Sequence, residues 1–420
     1  MDGSAARPSS VGDVTDVSFV MPCLNEAQSL TPCIGMIREA LAELEAGGLK
    51  GEIVVADNGS TDGSQALAMK LGARVVPVSE RGYGAALRGG FEAARGRFLV
   101  MGDADGSYDF REAVPMVEAL RAGADLCMGS RFRGGIRPGA MPWKNRYIGN
   151  PVLTAILNIL YGTRISDAHC GLRALTRDCF DRLGLTGAGM EFASEMVIKA
   201  ALRGEKIAEA PATLSPDLRD RPPHLRPWRD GWRHLRYLFM LSPFWLFAVP
   251  AFAGFGAGSL ILGIACWYAV FAPYARTMFG DYWVVLAAAM VAVSHNAGLF
   301  SFASYLLGVR SGYRKTLPWM NRLSRSVTLE TMIVAGVALG VAGFAVLVGI
   351  VLSWWARGFG PARLVLPAVL GTLMTTLGAQ NILGGFLLSI VSGNEARFLG
   401  AAGTAVAATP APDDGHARAG

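Results

Sequence analysis

Residues 97–109 read RFLVMGDADGSYD, an apolar run that stops at Gly102 and then releases two aspartates, Asp103 and Asp105, separated by one alanine. A short apolar run closed by glycine and polar residues has the pattern of a buried strand. The same pattern recurs on either side, at Val17–Met21, Glu52–Ala56, Arg74–Val78 and Asp125–Met128, with helical stretches expected at 26–46, 61–71, 84–95 and 110–122. Strands alternating with helices predict an α/β domain with right-handed crossovers and a mainly parallel sheet. In such sheets ligands bind beyond the carboxyl ends of the strands. The sequence places polar residues there: Pro22-Cys23-Leu24-Asn25-Glu26, the run from Asp57 to Gly63, Arg81-Gly82-Tyr83-Gly84, and Gly102-Asp103-Ala104-Asp105.

Two carboxylates leaving one strand end together can face a divalent cation with oxygen ligands, Mg2+ or Mn2+, which would neutralise a departing diphosphate. The competing reading of an acidic turn is a cap for the next helix. Asp57, Asn58 and Asp62 at a neighbouring strand end favour the ligand reading, because their side chains suit hydrogen bonds to a base or ribose. Neither G-x-G-x-x-G nor G-x-x-x-x-G-K-[ST] is present, so a dinucleotide site or a P-loop is excluded as the source of phosphate binding.

The chain has 420 residues, 52% of them hydrophobic, and the excess lies after Pro243. Four apolar runs, at 244–271, 282–308, 328–354 and 364–391, each exceed the ~20 residues that cross a bilayer as a helix. The linker between the second and third runs carries Arg310, Arg314, Lys315, Arg322 and Arg325, whereas the linker before it has Arg276 and Asp281. The positive-inside rule makes the former cytoplasmic. With no apolar leader in residues 1–15, the expectation is a multi-pass membrane protein whose first 240 residues face the cytoplasm.

The net charge of +6 comes from basic residues beside the spans, so anionic lipid, not nucleic acid, is the expected partner. Residues 227–241 combine Trp228, Trp232 and Tyr237 with Arg229, Arg233 and Arg236 and read as an interfacial helix; Pro142–Tyr161 reads either as a second one or as a buried helix. The six cysteines form no C-x-x-C pair, which argues against a zinc cluster or a disulfide framework. The resulting organisation is 1–16 disordered, 17–226 catalytic domain, 227–241 interfacial helix, 242–392 four-helix membrane domain and 393–420 disordered tail.

Four motifs in order, PCLNEA, VVADNGSTDGS, RGYGAALRGG and GDADGSYD, resemble the family-2 glycosyltransferases with the GT-A fold. Further on, GSRFRGG, NRYIGN, DAHCGLRALTR, GMEFASEMVIKA and the basic RDRPPHLRPW resemble the dolichol-phosphate mannose synthase and polyprenyl-phosphate glycosyltransferase branch. The resemblance implies that Pro22, Asn25, Glu26 and Asp57 contact the nucleoside, joined on the donor side by Gly82 and Arg88. It also implies that Asp103 and Asp105 hold the metal and donor diphosphate, and that Arg131 and Arg146 bind the acceptor phosphate. Mannose synthases of the family often carry Gln two positions after the second Asp; here Ser107 stands there, so water or Asp109 is expected to complete the shell. Arg219, Arg221, His224 and Arg226 lie on a segment expected to close over the diphosphate. Glu191 and Glu195 share a helix face, where either, Glu195 before Glu191, is expected to orient a sugar hydroxyl, pair with an arginine, or form a structural salt bridge.

The reaction these features imply moves a hexose from a nucleotide-diphosphate sugar, UDP-hexose before GDP-mannose, to a polyprenyl phosphate, with a second copy of the chain as a further candidate partner. A phosphate monoester is largely dianionic near neutral pH and needs no general base, so single displacement with inversion is expected. A processive polysaccharide synthase would show Q-x-x-R-W, and none of Gln28, Gln65 and Gln380 begins one. A catalytically silent scaffold or lipid translocator would have no need of the Asp103/Asp105 pair.

Overall fold

The computed structural model describes residues 15–219, 227–272, 279–316, 318, 320, 322, 326–360, 365–394 and 396–398. The chain divides after Leu241 into two compact units.

The first unit is built on β1 (Val17–Cys23), β2 (Gly51–Asp57), β3 (Arg74–Pro77), β4 (Phe98–Met101), β5 (Leu126–Ser130), β6 (Arg173–Thr176) and β7 (Ile207–Pro211). They form one seven-stranded sheet in the order β3-β2-β1-β4-β6-β5-β7. All neighbours are parallel except β6, which runs antiparallel between β4 and β5. The expectation of a mainly parallel sheet holds; β6 and β7 are additions to it. Phe19 and Met21 point to one apolar layer while Val20 between them points to the other, the period-2 alternation of a sheet buried on both faces.

Helices α1 (Leu30–Ala46), α2 (Ser64–Lys70), α3 (Tyr83–Ala93) and α4 (Val114–Arg121) follow the first four strands. Then come the short α5 (Arg131–Gly134), α6 (Asn150–Tyr161), α7 (Arg177–Leu183), α8 (Glu191–Arg203) and α9 (Pro227–Met240). Of α6, only Thr154 and Leu157 are buried. Trp143 and Tyr147 just before it are 62% and 67% exposed, and Ile148, Val152 and Ile159 are exposed with them. This settles the choice left open for Pro142–Tyr161: it is an amphipathic segment with an open apolar face.

The second unit contains α10 (Val249–Phe271), α11 (Asp281–Arg310), α12 (Leu329–Ala356) and α13 (Val365–Ser392). With a helical lead-in from Phe244, each of the four is long and apolar enough to cross a membrane. Glycines let them pack closely: a Cβ on Gly343 would stand 2.6 Å from the Gly371 carbonyl oxygen, and one on Gly378 2.6 Å from that of Gly336. Polar side chains inside the spans are costly in lipid, and two contacts cross between helices: His295 Nδ1 lies 3.1 Å from Gln380 Oε1, and Asn381 Nδ2 donates to the Met332 carbonyl at 3.1 Å.

Candidate active site

The carboxyl ends of β1, β2 and β4 meet at one sheet edge, with Cys23 beside Asp57 and Val20 beside Met101. The loop leaving β1 turns on Asn25, whose φ of 59° puts a non-glycine residue in the left-handed region. Its strain is offset by lacing to the loop after β2: Thr61 N–H donates to Asn25 Oδ1 at 2.8 Å, Asn25 N–H to Ser60 Oγ at 2.9 Å, and Glu26 N–H to Ser64 Oγ at 3.0 Å. Pro22 lies in β1 opposite Ala56, directly before this turn. Asp57, 2% exposed, accepts from Gly59 N–H at 3.0 Å, from Ser60 N–H and from Gln65 Nε2 at 2.6 Å. Burial pushes its pKa up, but the bonds from Ser60, Gln65 and Gly59 outweigh it and hold the carboxyl below its usual range.

Asn58, Asp62, Gly82 and Arg88, expected as donor contacts, lie beside this edge and, like Asp57, make contacts within the chain. Asn58 Nδ2 donates to the Val78 and Glu80 carbonyls at 3.0 and 2.7 Å, and its Oδ1 accepts Gly82 N–H at 2.8 Å, so both ends of the amide are spent inside the chain. Asp62 accepts Ala27 N–H on one oxygen and Ser64 N–H and Oγ on the other. Gly82 has a φ of 139° and packs so closely that a Cβ would fall 2.2 Å from the Ala188 carbonyl oxygen. Arg88 pairs with Glu80 and, at 3.8 Å, with Glu92.

Asp103 and Asp105 do face each other's field. Burial and then the Asp105 charge raise the Asp103 pKa to about 7, against the opposing pull of Tyr83, Arg219 and Arg131. Tyr83 Oη donates to Asp103 Oδ1 at 2.9 Å. Asp105 Oδ1 accepts Ser107 N–H at 2.9 Å, and its Oδ2 is 2.7 Å from Arg219 Nη2. Arg219 also reaches Asp217 at 2.9 Å and Glu26 at 3.4 Å, and its segment is pinned over the aspartate turn by Ser215 N–H to Ser107 O and Leu218 N–H to Asp105 O, each 2.9 Å. Glu26, Asp105 and Arg219 thus form one cluster. Among the described residues no group of three acidic, histidine or cysteine side chains is disposed to hold a metal.

The pair nevertheless fits a cation of the kind that keeps waters and substrate phosphates in its shell and takes only one or two carboxylates from protein. Asp103 and Asp105 are buried carboxyls close enough for the charge on Asp105 to raise the Asp103 pKa, and a cation between them would favour ionisation of both. Asp109 is not free to complete the shell, because both its oxygens are engaged by Arg111, at 2.8 and 2.7 Å.

Arg131, 7% exposed, opens α5 with its fork on Asp167: Nε to Oδ2 at 2.6 Å and Nη2 to Oδ1 at 2.8 Å. Against the effect of burial, these bonds hold Asp167 below the usual carboxylate range. Nη1 is the guanidinium nitrogen left over for a ligand. Arg146 lies with its guanidinium 5.4 Å from the Tyr147 ring. Glu195 is fully buried and paired with Lys199 at 2.7 Å, the structural salt bridge among its expected roles, with no face of it open to a sugar. Arg221, His224 and Arg226 lie outside the described residues. Tyr83, Asp167 and Lys199 are the site-shaping residues the sequence reading did not single out. RGYG placed Tyr83 beside the cleft, and DAHC offered Asp167 as a counter-ion, but contacts between distant segments carry no local signal.

A seven-stranded, mainly parallel sheet with an Asp-Ala-Asp turn at its ligand-binding edge, followed by four apolar helices, defines a membrane-associated transferase of the GT-A fold. Residues 18–184 match the glycosyl transferase family 2 domain, and 302–392 match the family 2 C-terminal transmembrane region. The chain is similar to the low-salt glycan biosynthesis hexosyltransferase Agl6 of Haloferax volcanii, 35% identical over 375 residues that cover 89% of this chain and 88% of that one. It also resembles the polyprenol monophosphomannose synthase of Mycolicibacterium smegmatis, at 30% identity over 51% of this chain and 82% of that one. The dolichyl-phosphate hexose transferase of Haloferax volcanii is 30% identical over 47% and 81%. The chain belongs to glycosyltransferase family 2.

Proposed function

We propose that this glycosyltransferase moves a hexose from a nucleotide-diphosphate sugar to the phosphate of a polyprenyl lipid, with its catalytic unit on the cytoplasmic side. The observation that carries the reading is the buried Asp103/Asp105 pair at the same sheet edge as Arg131, whose charge acts on Asp103. Two relatives are named for polyprenyl or dolichyl phosphate, which supports the acceptor class, and two are named for hexose. Ser107 in place of the glutamine common in mannose synthases favours a UDP-hexose over GDP-mannose.

Asp57, with oxygens held ionised at the end of β2, accepts hydrogen bonds from the nucleoside beside Pro22, Asn25 and Glu26. Asp103 and Asp105 would hold Mg2+ or Mn2+, which supplies neutralising charge to the leaving diphosphate. Arg219 leaves Asp105 when the donor arrives and turns its permanent charge toward that diphosphate. Arg131, oriented by Asp167, and Arg146 present the acceptor phosphate, since guanidinium groups bind phosphate oxygens through strong, directed bonds. The phosphate oxygen is already ionised and attacks the sugar carbon in line, so the protein's contribution is placement and exclusion of water, with inversion at that carbon. The exposed Trp143, Tyr147 and Ile148, with Lys144 6.0 Å from the Trp143 ring, give the unit a face suited to the lipid headgroup region, and α9 with its exposed Trp232 supplies a second.

Incubating the purified chain with labelled UDP- and GDP-sugars, polyprenyl phosphate and Mg2+ or Mn2+ tests the reading. Label in a single-sugar, organic-extractable, acid-labile lipid supports it. Label in long polymer, or no transfer from any donor, overturns it.

A further inference from the structure

Glu195 is left without a part in ligand binding, and its surroundings give it another one. It accepts Thr186 N–H at 3.1 Å, Thr186 Oγ1 at 3.2 Å and Gly187 N–H at 2.7 Å, and pairs with Lys199 Nζ at 2.7 Å. Lys199 in turn donates to the Gly184 carbonyl at 2.6 Å. A buried carboxylate and a buried ammonium therefore grip the start of the loop between α7 and α8, and they do so with charge-assisted bonds.

The loop then runs over the N-terminus of α3. Ala188 O accepts Ala85 N–H at 3.0 Å. A Cβ on Gly82 would stand 2.2 Å from Ala188 O, and one on Gly84 2.3 Å from Gly187 O. This is close packing, mostly backbone against backbone, so the loop limits how far the start of α3 can shift toward it, and the Ala85–Ala188 bond ties the two together. Between the two glycines stands Tyr83, whose hydroxyl holds Asp103 Oδ1 at 2.9 Å.

We propose that Glu195 and Lys199 are positioning residues for the donor site: through the 184–189 loop they fix Gly82-Tyr83-Gly84, and Tyr83 pins Asp103 Oδ1 and with it the orientation of the carboxylate that would hold the cation. The inference rests on the reading of Asp103 as a cation ligand. It adds a chain of contacts from α8 to that carboxylate. Partners of this kind, which orient a ligand without touching the ion, change metal affinity by about 10–100-fold when removed.

The test is calorimetric titration of Mn2+ into the full-length protein in detergent, with saturating UDP and, separately, GDP. Wild type, Tyr83→Phe, Glu195→Gln and the double variant are compared, each with its thermal unfolding curve. Both single variants should bind Mn2+ about tenfold more weakly. The double variant should bind no more weakly than Tyr83→Phe alone, because the two act through one contact. Tyr83→Phe at wild-type affinity overturns the proposal. So does a Glu195→Gln effect that persists in full in the Tyr83→Phe background, or Glu195→Gln that lowers the unfolding temperature while leaving Mn2+ affinity unchanged. Should Glu195→Gln not accumulate, Lys199→Met carries the same expectations. A wild type that binds Mn2+ with neither nucleotide overturns the reading of the site, and this inference falls with it; binding by wild type that the variants share overturns the inference alone.

Discussion

If Asp103 is a cation ligand, the proton it holds until about pH 7 must leave before the cation binds, and lowering the pH should weaken binding on a predictable scale. The shift comes from burial and then from the charge on Asp105. Because the folded pKa is raised above the ordinary carboxylate value, folding favours the protonated form. The group's contribution to stability is fully present at low pH and is lost as pH rises through about 7. Cation binding has the opposite preference. With a pKa of about 7, the ionised fraction falls from roughly 0.9 at pH 8 to roughly 0.1 at pH 6, so apparent affinity should drop about tenfold, or ~1.4 kcal/mol. Mn2+ titrations at the two pH values, corrected for Mn2+–nucleotide association in buffer, measure this. In the metal-free protein, unfolding should be easier at pH 8 than at pH 6 by a similar amount, and Asp103→Asn should remove that part of the difference. Equal Mn2+ affinity at pH 6 and pH 8 would refute the reasoning.

Asp167→Ala should strand the buried Arg131 charge and cost about 3–5 kcal/mol, seen as a large fall in unfolding temperature together with lost transfer. Arg146→Ala should leave stability unchanged and raise the KM for polyprenyl phosphate about tenfold, the scale of one charge-assisted hydrogen bond; a change confined to donor KM would place Arg146 elsewhere. Asn58→Ala removes three hydrogen bonds that hold the loop after β3 and should destabilise by about 1–3 kcal/mol. At a temperature where that variant is folded, its nucleotide affinity should fall less than that of Asp57→Ala.

The first five strands, the helices between them and the four spans were legible because each is a run of one periodicity bounded by polar or glycine residues. β6 and β7 were not. RALT carries an arginine that reads as surface, yet Arg173 is fully buried, with its guanidinium bonded to the carbonyls of Cys170, Ala168 and Ala193. IAEAP contains a glutamate and ends in a proline, both poor strand signals. At the candidate site, the placement of Asp57 at the end of β2 and of Asp103 and Asp105 after β4 was legible, because each follows an apolar run that stops at polar residues or glycine. Asn58, Asp62 and Arg88 share that neighbourhood and, like Asp57, bond to the chain itself, as Glu195 does from within α8. Whether an amide or carboxylate is spent internally depends on carbonyls and N–H groups brought in by the fold, such as those of Glu80, Ala27 and Gly187, and the sequence holds no record of that. Arg219 belongs with these: its basic segment was visible, but its resting place on Asp105 and Glu26 follows from the strap of backbone bonds to Ser107 and Asp105.

The most direct measurement is sugar transfer to polyprenyl phosphate by wild type and by Asp105→Asn, prepared identically in detergent and shown to unfold at similar temperatures. A cation held by Asp103 and Asp105 predicts labelled lipid from the wild type and none above background from the variant. Transfer at the wild-type rate by Asp105→Asn would contradict it.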